Sequence, residues 1–103
     1  MNAPVTKMTV RVLPDGDTMT VKGRAAWALK SLILAGRAGC TPIDNPAPRW
    51  SHYVFLLRGL GLSIETIHEQ HGGAYSGNHG RYVLHTRLQI VREDVYERKA
   101  RAA

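Results

Sequence analysis

The sequence predicts one α+β domain, with three helices between a short amino-terminal β-hairpin and a longer carboxy-terminal one. Apolar side chains recur at helical spacing in residues 24–35 and 49–60, whereas residues 63–69 and 81–91 alternate between apolar and polar side chains. The length of 103 residues suits one hydrophobic core. These observations favour a mixed fold in a single domain.

The first predicted element is the amino-terminal hairpin. Residues 5–12 mostly alternate between apolar and polar side chains, and residues 18–21 are rich in β-prone types. Pro14 and Gly16 lie between them and favour a turn, because proline fixes φ and glycine accepts positive φ. Two strands alone are marginal in water, so we expect the hairpin to pack on another element.

Residues 24–35 form the first predicted helix. Leu29 and Leu32 belong to the stripe that is expected to face the core. Trp27 and Leu34, seven residues apart, form a second apolar ridge. We expect the amino-terminal hairpin to cover this ridge.

The second predicted helix is only about one turn long. Thr41 and Asp44 have the spacing of a capping residue and its acidic partner, and Pro42 suits a first helical turn. Pro46 then ends the helix, since a helix interior does not accommodate proline.

Residues 49–60 form the third predicted helix. Trp50, Val54 and Leu57 lie on one stripe, which predicts that they face the core. The opposite face then carries Arg49, His52, Phe55, Leu56 and Gly59. Two of these side chains are large and apolar, which is unusual for a solvated helix face.

A β-hairpin with a long tip follows the helices. Its strands are predicted at residues 63–69 and 81–91, and the glycine-rich residues 72–80 have loop composition. We therefore divide the chain into a β extension (1–22), a main domain (23–91) and a charged tail (92–103).

The order of helix, short helix, helix and hairpin is typical of a winged helix-turn-helix, in which the second helix of the pair enters the DNA major groove. A family resemblance extends from position 23 to about position 90. The residues that carry it are Ala26-Trp27-Ala28-Leu29, Ala35-Gly36, Gly39-Cys40-Thr41-Pro42, Tyr53-Val54, Leu57-Arg58, Gly61, Ile64-Glu65-Thr66 and Arg81-Tyr82-Val83-Leu84. In these residues the chain resembles a family of small winged-helix proteins of prophages and mobile elements in alphaproteobacteria. The resemblance implies sequence-directed DNA binding.

The charge of the chain supports a polyanionic partner. Fourteen Lys and Arg residues against eight acids give a formal net charge of +6. Residues 1–48 and residues 49–103 each contribute +3, so no separate basic tail accounts for the excess. A basic domain of this size fits nucleic acid, and double-stranded DNA is the expected partner.

The candidate DNA-binding residues fall into three groups. At the third helix they are Arg49, Ser51 and His52 in the major groove, with Arg58 on the DNA backbone. On the wing they are Asn78, His79 and Arg81. Around the first helix they are Lys22, Arg24 and Lys30, which would neutralise further phosphates.

An alternative function is a protein-interaction module, an adaptor or antiactivator that keeps this scaffold and binds little DNA. Phe55 and Leu56 are its main support, because exposed apolar side chains suit a protein interface. The pairs Trp27 and Leu34, and Val95 and Tyr96, are further candidate surfaces, including for a homodimer.

Catalysis, metal binding and membrane insertion find little support. His68, His71 and His79 bracket the hairpin tip, but their spacing matches no established zinc motif. Ser63 lacks a nucleophile elbow, and the single cysteine, Cys40, is interpreted as a small buried hydrophobe. We therefore expect no enzyme activity, no cofactor and no metal. The apolar runs are too short to span a bilayer, so we expect a cytoplasmic protein that joins the nucleoid when bound.

Overall fold

A computed structural model describes residues 5–45, 49–71 and 77–95. Its elements are β1 (Val5–Val12), β2 (Thr18–Lys22), α1 (Arg24–Ala35), α2 (Trp50–Gly59), β3 (Ile64–His71), β4 (Gly77–Leu84) and β5 (Leu88–Val95). The strands form a three-stranded sheet in the order β2-β1-β5 and a separate two-stranded sheet, β3-β4. The α+β class is confirmed.

The predicted amino-terminal hairpin forms and packs on another element as expected. Met8 and Val10 of β1 and Val21 of β2 are buried, and their face of the sheet packs against α1. The opposite face of the sheet carries mostly polar side chains. The hairpin is therefore one wall of the hydrophobic core.

Helix α1 begins one residue after Gly23 and ends at Ala35, as its pattern predicts. Leu29 and Leu32 are fully buried, and Gly36 follows the helix at φ 56°, a conformation that favours glycine. The expectation for the second ridge is wrong, because the side chain of Leu34 is 73% exposed. Trp27 packs instead against Trp50 of α2, with ring centroids 5.4 Å apart.

The segment after α1 joins the helices to the β3-β4 hairpin. A 3-10 turn spans Gly36–Ala38, and Cys40 then forms a β-bridge with Tyr82 of β4 through two backbone hydrogen bonds of 2.9 and 2.8 Å. Gly39, at φ 71°, lies so close to β4 that a Cβ there would be 2.6 Å from the Tyr82 carbonyl oxygen. Only glycine fits this contact.

The prediction of three helices is wrong, since the described residues contain two α-helices. Residues 41–45 form one isolated turn, in which the Asp44 amide donates to Thr41 Oγ1 at 2.9 Å and the Asn45 amide donates to the Thr41 carbonyl at 2.8 Å. The predicted cap is therefore present, and the proline at position 46 is unfavourable to a longer helix.

Helix α2 presents the faces that the sequence predicts. Trp50, Val54 and Leu57 are buried, and Tyr53 joins them in the core. The residues predicted to point outward, including His52 and Phe55, are exposed.

The β3-β4 hairpin pairs in antiparallel register from Ile64↔Leu84 to His71↔Gly77. Residues 77–80, predicted as loop, belong to β4. A Cβ at Gly80 would lie 3.1 Å from the Thr66 methyl group, so the two strands pack closely there.

The strand predicted at residues 81–91 is in fact two strands in different sheets. Between them the chain turns at Thr86, whose hydroxyl accepts a 2.7 Å hydrogen bond from the Ser63 amide. β5 then pairs with β1 and runs through the predicted boundary at residue 91. Residues 96–103 of the predicted tail, with Tyr96, lie outside the described residues. In the described part of the chain, no helix is long and apolar enough to cross a membrane.

Candidate nucleic-acid interface

The amino-terminal end of α2 is an exposed, positively charged surface. Arg49 precedes the helix in the left-handed conformation, at φ 68°, and Ser51 and His52 follow it on the exposed face. Within the described residues no side-chain hydrogen bond caps this helix, and its first turn contains no acid. The partial positive charge of the helix end therefore adds to the charge of Arg49.

Trp50 fixes this end of α2 against the hairpin. Its indole Nε1 donates a 2.7 Å hydrogen bond to the Asn45 carbonyl, and its ring stacks on Tyr82 with centroids 5.9 Å apart. The side chain is 2% exposed. The neighbouring Arg49 and Ser51 therefore project from a rigid base.

Arg58, predicted to hold the DNA backbone, is engaged within the protein. Its Nε and Nη2 donate to the Ile64 carbonyl at 3.1 and 2.6 Å, and Nη2 also donates to Thr66 Oγ1 at 2.9 Å. These bonds connect the end of α2 to the start of β3. A contact between Arg58 and DNA stays a prediction.

Two predicted wing residues, His79 and Arg81, converge on Glu69. Arg81 donates from Nε and Nη2 to the two carboxylate oxygens at 2.6 and 3.0 Å, and His79 Nε2 lies 3.0 Å from Glu69 Oε1. The Arg81 hydrogen bonds lower the pKa of Glu69, and the same bonds raise the pKa of Arg81.

Arg81 also attaches the hairpin to the helical half of the domain. Its Nη1 donates a 2.7 Å hydrogen bond to the Ala38 carbonyl in the 3-10 turn and lies 4.0 Å from Asp44 Oδ2. Arg81 is thus a cross-link between three parts of the fold. A phosphate contact by this side chain stays a prediction, and the side chain of Asn78 lies outside the described residues.

Sequence reasoning did not identify Glu69 as a partner of the wing cations. The signal that could have identified Glu69 is the strand register. Glu69 lies directly opposite His79, and it is two residues from Ile67, which is the cross-strand partner of Arg81. Once the strands are paired, the three side chains must share one face. The sequence pattern does not specify the strand register, because it does not define which residues form the hairpin tip.

The three histidines near the wing do not assemble in the described structure. His68 pairs with Gly80, whereas His79 pairs with Glu69, so His68 and His79 lie on opposite faces of the hairpin. The side chain of His71 lies outside the described residues. Among the side chains that are described, no three metal-binding groups cluster together.

The cations predicted around α1 do not form one patch. Lys30 Nζ is 2.7 Å from Glu93 Oε1, and Arg24 lies over the Trp27 ring, 5.4 Å from its centroid. Lys22 lies on β2, on the exposed face of the three-stranded sheet. DNA contact by these residues stays a prediction.

The exposed apolar side chains of α2 lie beyond its cationic end. Phe55 is 70% exposed and Leu56 is 42% exposed. Leu60, just after the helix, is 46% exposed and adds to the same surface, although its sequence position does not single it out. The exposed face of α2 therefore has a charged first turn followed by an apolar surface.

Comparison with known proteins agrees with this architecture. A family model described as a winged helix domain matches residues 18–94. Neither a curated protein nor a solved structure matches the chain. The matched segment includes both helices, the β3-β4 hairpin, β2 and nearly all of β5, but not β1. The chain belongs to the winged helix domain family.

Proposed function

We propose that this protein is a sequence-directed DNA-binding protein, a small transcriptional regulator or accessory factor of a phage or mobile element. The observation that carries the proposal is the exposed, uncapped start of α2, where Arg49, Ser51 and His52 project from a base fixed by Trp50. The net charge of +6 and the winged helix family support it. The protein acts in the cytoplasm, without a cofactor and without catalysis.

In this proposal, α2 and the wing have different tasks. His52 and Ser51 contact base edges in the major groove, and Arg49 contacts a base or a phosphate. The wing approaches the flanking backbone, and its distance from α2 is set by the stacked rings of Trp50 and Tyr82. Base contacts supply the specificity, because phosphates are the same in every sequence.

Gel-shift titration against a random duplex pool and against genomic fragments tests the proposal. We expect selected sites to bind more tightly than the pool. If about six phosphates are neutralised, log K falls with log salt at a slope of about −5. The absence of binding to any duplex at low salt would exclude the proposal.

Substitution of His52 tests the assignment of α2. The variant H52A should lose about 1–3 kcal/mol of affinity for the selected site and almost none for random duplex. His85→Ala is the matched control, because His85 is also exposed but lies at the end of β4 away from the wing tip. Equal effects of both variants would contradict the assignment.

The apolar surface of α2 favours the alternative function, a protein-interaction module that binds little DNA. Phe55 at 70% exposure and Leu56 at 42% are the supporting observation. We expect Phe55→Ser to leave thermal unfolding unchanged. If the surface pairs two copies of the chain, sedimentation at tens of micromolar should show a dimer for the wild type and a monomer for this variant. A wild-type monomer, with and without DNA, would exclude self-association.

A further inference from the structure

The face of the three-stranded sheet that points away from α1 is strongly basic. Among the described residues, antiparallel pairing places four cations, one acid, three threonines and a glutamine on this face. These residues are Lys7, Thr9, Arg11, Thr18, Thr20, Lys22, Gln89, Arg92 and Asp94. Its formal charge is therefore +3, half of the net charge of the whole chain. This surface, which we term the outer sheet face, includes Lys22, one of the cations predicted to contact DNA around the first helix, and none of the residues proposed to contact DNA from α2 or the wing.

Two lysines on the outer sheet face are paired against each other. Lys7 of β1 and Lys22 of β2 are direct cross-strand partners, and both side chains are exposed. Like charges at directly opposite positions destabilise a sheet. A local cost of this kind is expected where a surface serves a ligand, and the ligand that two lysines favour is an anion.

The distribution of the remaining charges places the positive potential at one end of the face. Arg92 of β5 is the cross-strand partner of Thr9, one strand from Lys7 and two strands from Lys22. Asp94 contacts Arg92 Nε at 3.2 Å and lies 3.9 Å from Lys7 Nζ, so it neutralises one cation of the group. Arg11 lies toward the β1-β2 turn, whose sequence contains Asp15 and Asp17. The cationic end is therefore formed by Lys7, Lys22 and Arg92.

Helix α1 lies between the three-stranded sheet and α2. The inner face of the sheet packs on α1, and α1 in turn packs against α2. The outer sheet face is therefore the side of the sheet that does not face the helices.

We propose that the outer sheet face binds the phosphate backbone of a second duplex, so that one molecule joins two DNA segments. The joining of segments rests on the proposed function, since the first segment is the one bound at α2. Exposed lysine and arginine side chains complement phosphate. The hydroxyls of Thr9 and Thr20 hydrogen-bond to each other at 3.2 Å, which leaves one of the two O–H groups to donate to a phosphate. The sheet contact is independent of sequence, because it reaches only the backbone.

A capture assay tests this inference. Bead-bound duplex is incubated with the protein and then with a fluorescent second duplex at low salt, and the retained fluorescence is measured. We expect wild type to retain the second duplex and Lys22→Glu to reduce retention to the level without protein. Arg37→Glu makes the same change in net charge at an exposed position outside both surfaces and should retain the duplex like wild type.

The folding of the test variant is checked by thermal unfolding. Lys22→Glu replaces a like-charged cross-strand pair with an opposite-charged one, so its unfolding temperature should equal or exceed that of wild type. Lys22→Gln is the neutral variant and should reduce retention to a smaller extent. Sedimentation without DNA should give the same mass for wild type and variants, which separates bridging by one molecule from bridging by a dimer.

A second arm separates this inference from the proposed function. Arg49→Gly combined with His52→Ala disables α2, and fluorescence anisotropy then measures the remaining low-salt binding of one duplex. We expect Lys22→Glu, added to that background, to remove this binding, and the salt slope to fall by about one for each phosphate that is no longer neutralised.

If Lys22→Glu behaves like Arg37→Glu in both assays, the inference is wrong. If disabling α2 leaves single-duplex binding unchanged, the proposed function is wrong.

Discussion

Arg81 donates two hydrogen bonds to the carboxylate of Glu69 across the β3-β4 hairpin, at 2.6 and 3.0 Å. A third, to the Ala38 carbonyl at 2.7 Å, joins the hairpin to the turn after α1. A side chain in this position fixes the hairpin against the turn that follows α1. Its charge is already balanced within the protein.

Removing either partner of this pair should separate a structural role from a phosphate contact. If Arg81 holds the wing, Arg81→Ala and Glu69→Gln both weaken DNA binding and leave its salt slope unchanged. If Arg81 binds phosphate, Arg81→Ala lowers the slope by about one and Glu69→Gln does not. Binding measured over a salt series for both variants, with thermal unfolding as the control, decides between these roles.

The same pair predicts a dependence of stability on pH. The Arg81 hydrogen bonds lower the pKa of Glu69 in the folded protein, so its carboxylate stabilises the fold above the ordinary glutamate pKa, about 4.3. This contribution is lost as the pH falls through the lowered pKa. The difference in unfolding free energy between wild type and E69Q should therefore shrink as the pH falls below about 4. Urea unfolding at several pH values measures it, and a difference that grows at low pH would contradict the prediction.

Arg49 combines a charge with an unfavourable backbone conformation, and two substitutions separate the two effects. At φ 68°, glycine avoids the strain that alanine retains, so Arg49→Gly should be about 1 kcal/mol more stable than Arg49→Ala. Both variants lack the guanidinium and should lose DNA affinity equally. Chemical denaturation and anisotropy titration measure the two quantities. Normal binding by the glycine variant would show that the cation is dispensable.

Two glycines near the end of α1 should respond differently to alanine. A Cβ at Gly36 would meet nothing within 4 Å beyond its own chain neighbours, so Gly36→Ala adds only backbone strain, about 1–3 kcal/mol. Gly39 has the same kind of φ and also abuts the Tyr82 carbonyl, so Gly39→Ala should cost about 3 kcal/mol or more. Unfolding free energies check this order, and equal costs would place the hairpin further from Gly39.

Cys40 should be unreactive in the native state. Its side chain is fully buried, and this burial raises the pKa of the thiol, so little of the reactive thiolate is present at neutral pH. We expect a thiol reagent to modify Cys40 only at the rate of unfolding and to modify it completely in denaturant. Rapid stoichiometric labelling in native buffer would contradict this expectation.

The long helices and their faces could be predicted from the sequence because their signals are local. Leu29 and Leu32 in α1, and Trp50 and Leu57 in α2, repeat at helical spacing, and each of them is buried. The exposed residues of the candidate interface on α2, such as His52, follow from the same periodicity.

The features that the sequence did not reveal depend on contacts between distant residues. The alternation of Tyr82 and Leu84 continues in phase through Leu88, so it contains no sign that the chain leaves one sheet for another at Thr86. The turn at residues 41–45 has the sequence of a helix cap, and the proline at position 46 is unfavourable to a longer helix. The engagement of Arg81 by Glu69 requires the register of the hairpin, which no local pattern specifies.

The pairing of β1 with β5 has a consequence for how the chain folds as it is made. The strands are joined from Val5↔Val95 to Val12↔Leu88, so the sheet is complete only after residue 95 has left the ribosome. Contacts this distant in sequence form slowly, and until then one edge of β1 is bare and able to pair with another nascent chain. Lys7 and Arg11 on that strand oppose such pairing by charge repulsion. These cations of the outer sheet face thus also oppose aggregation of the incomplete chain.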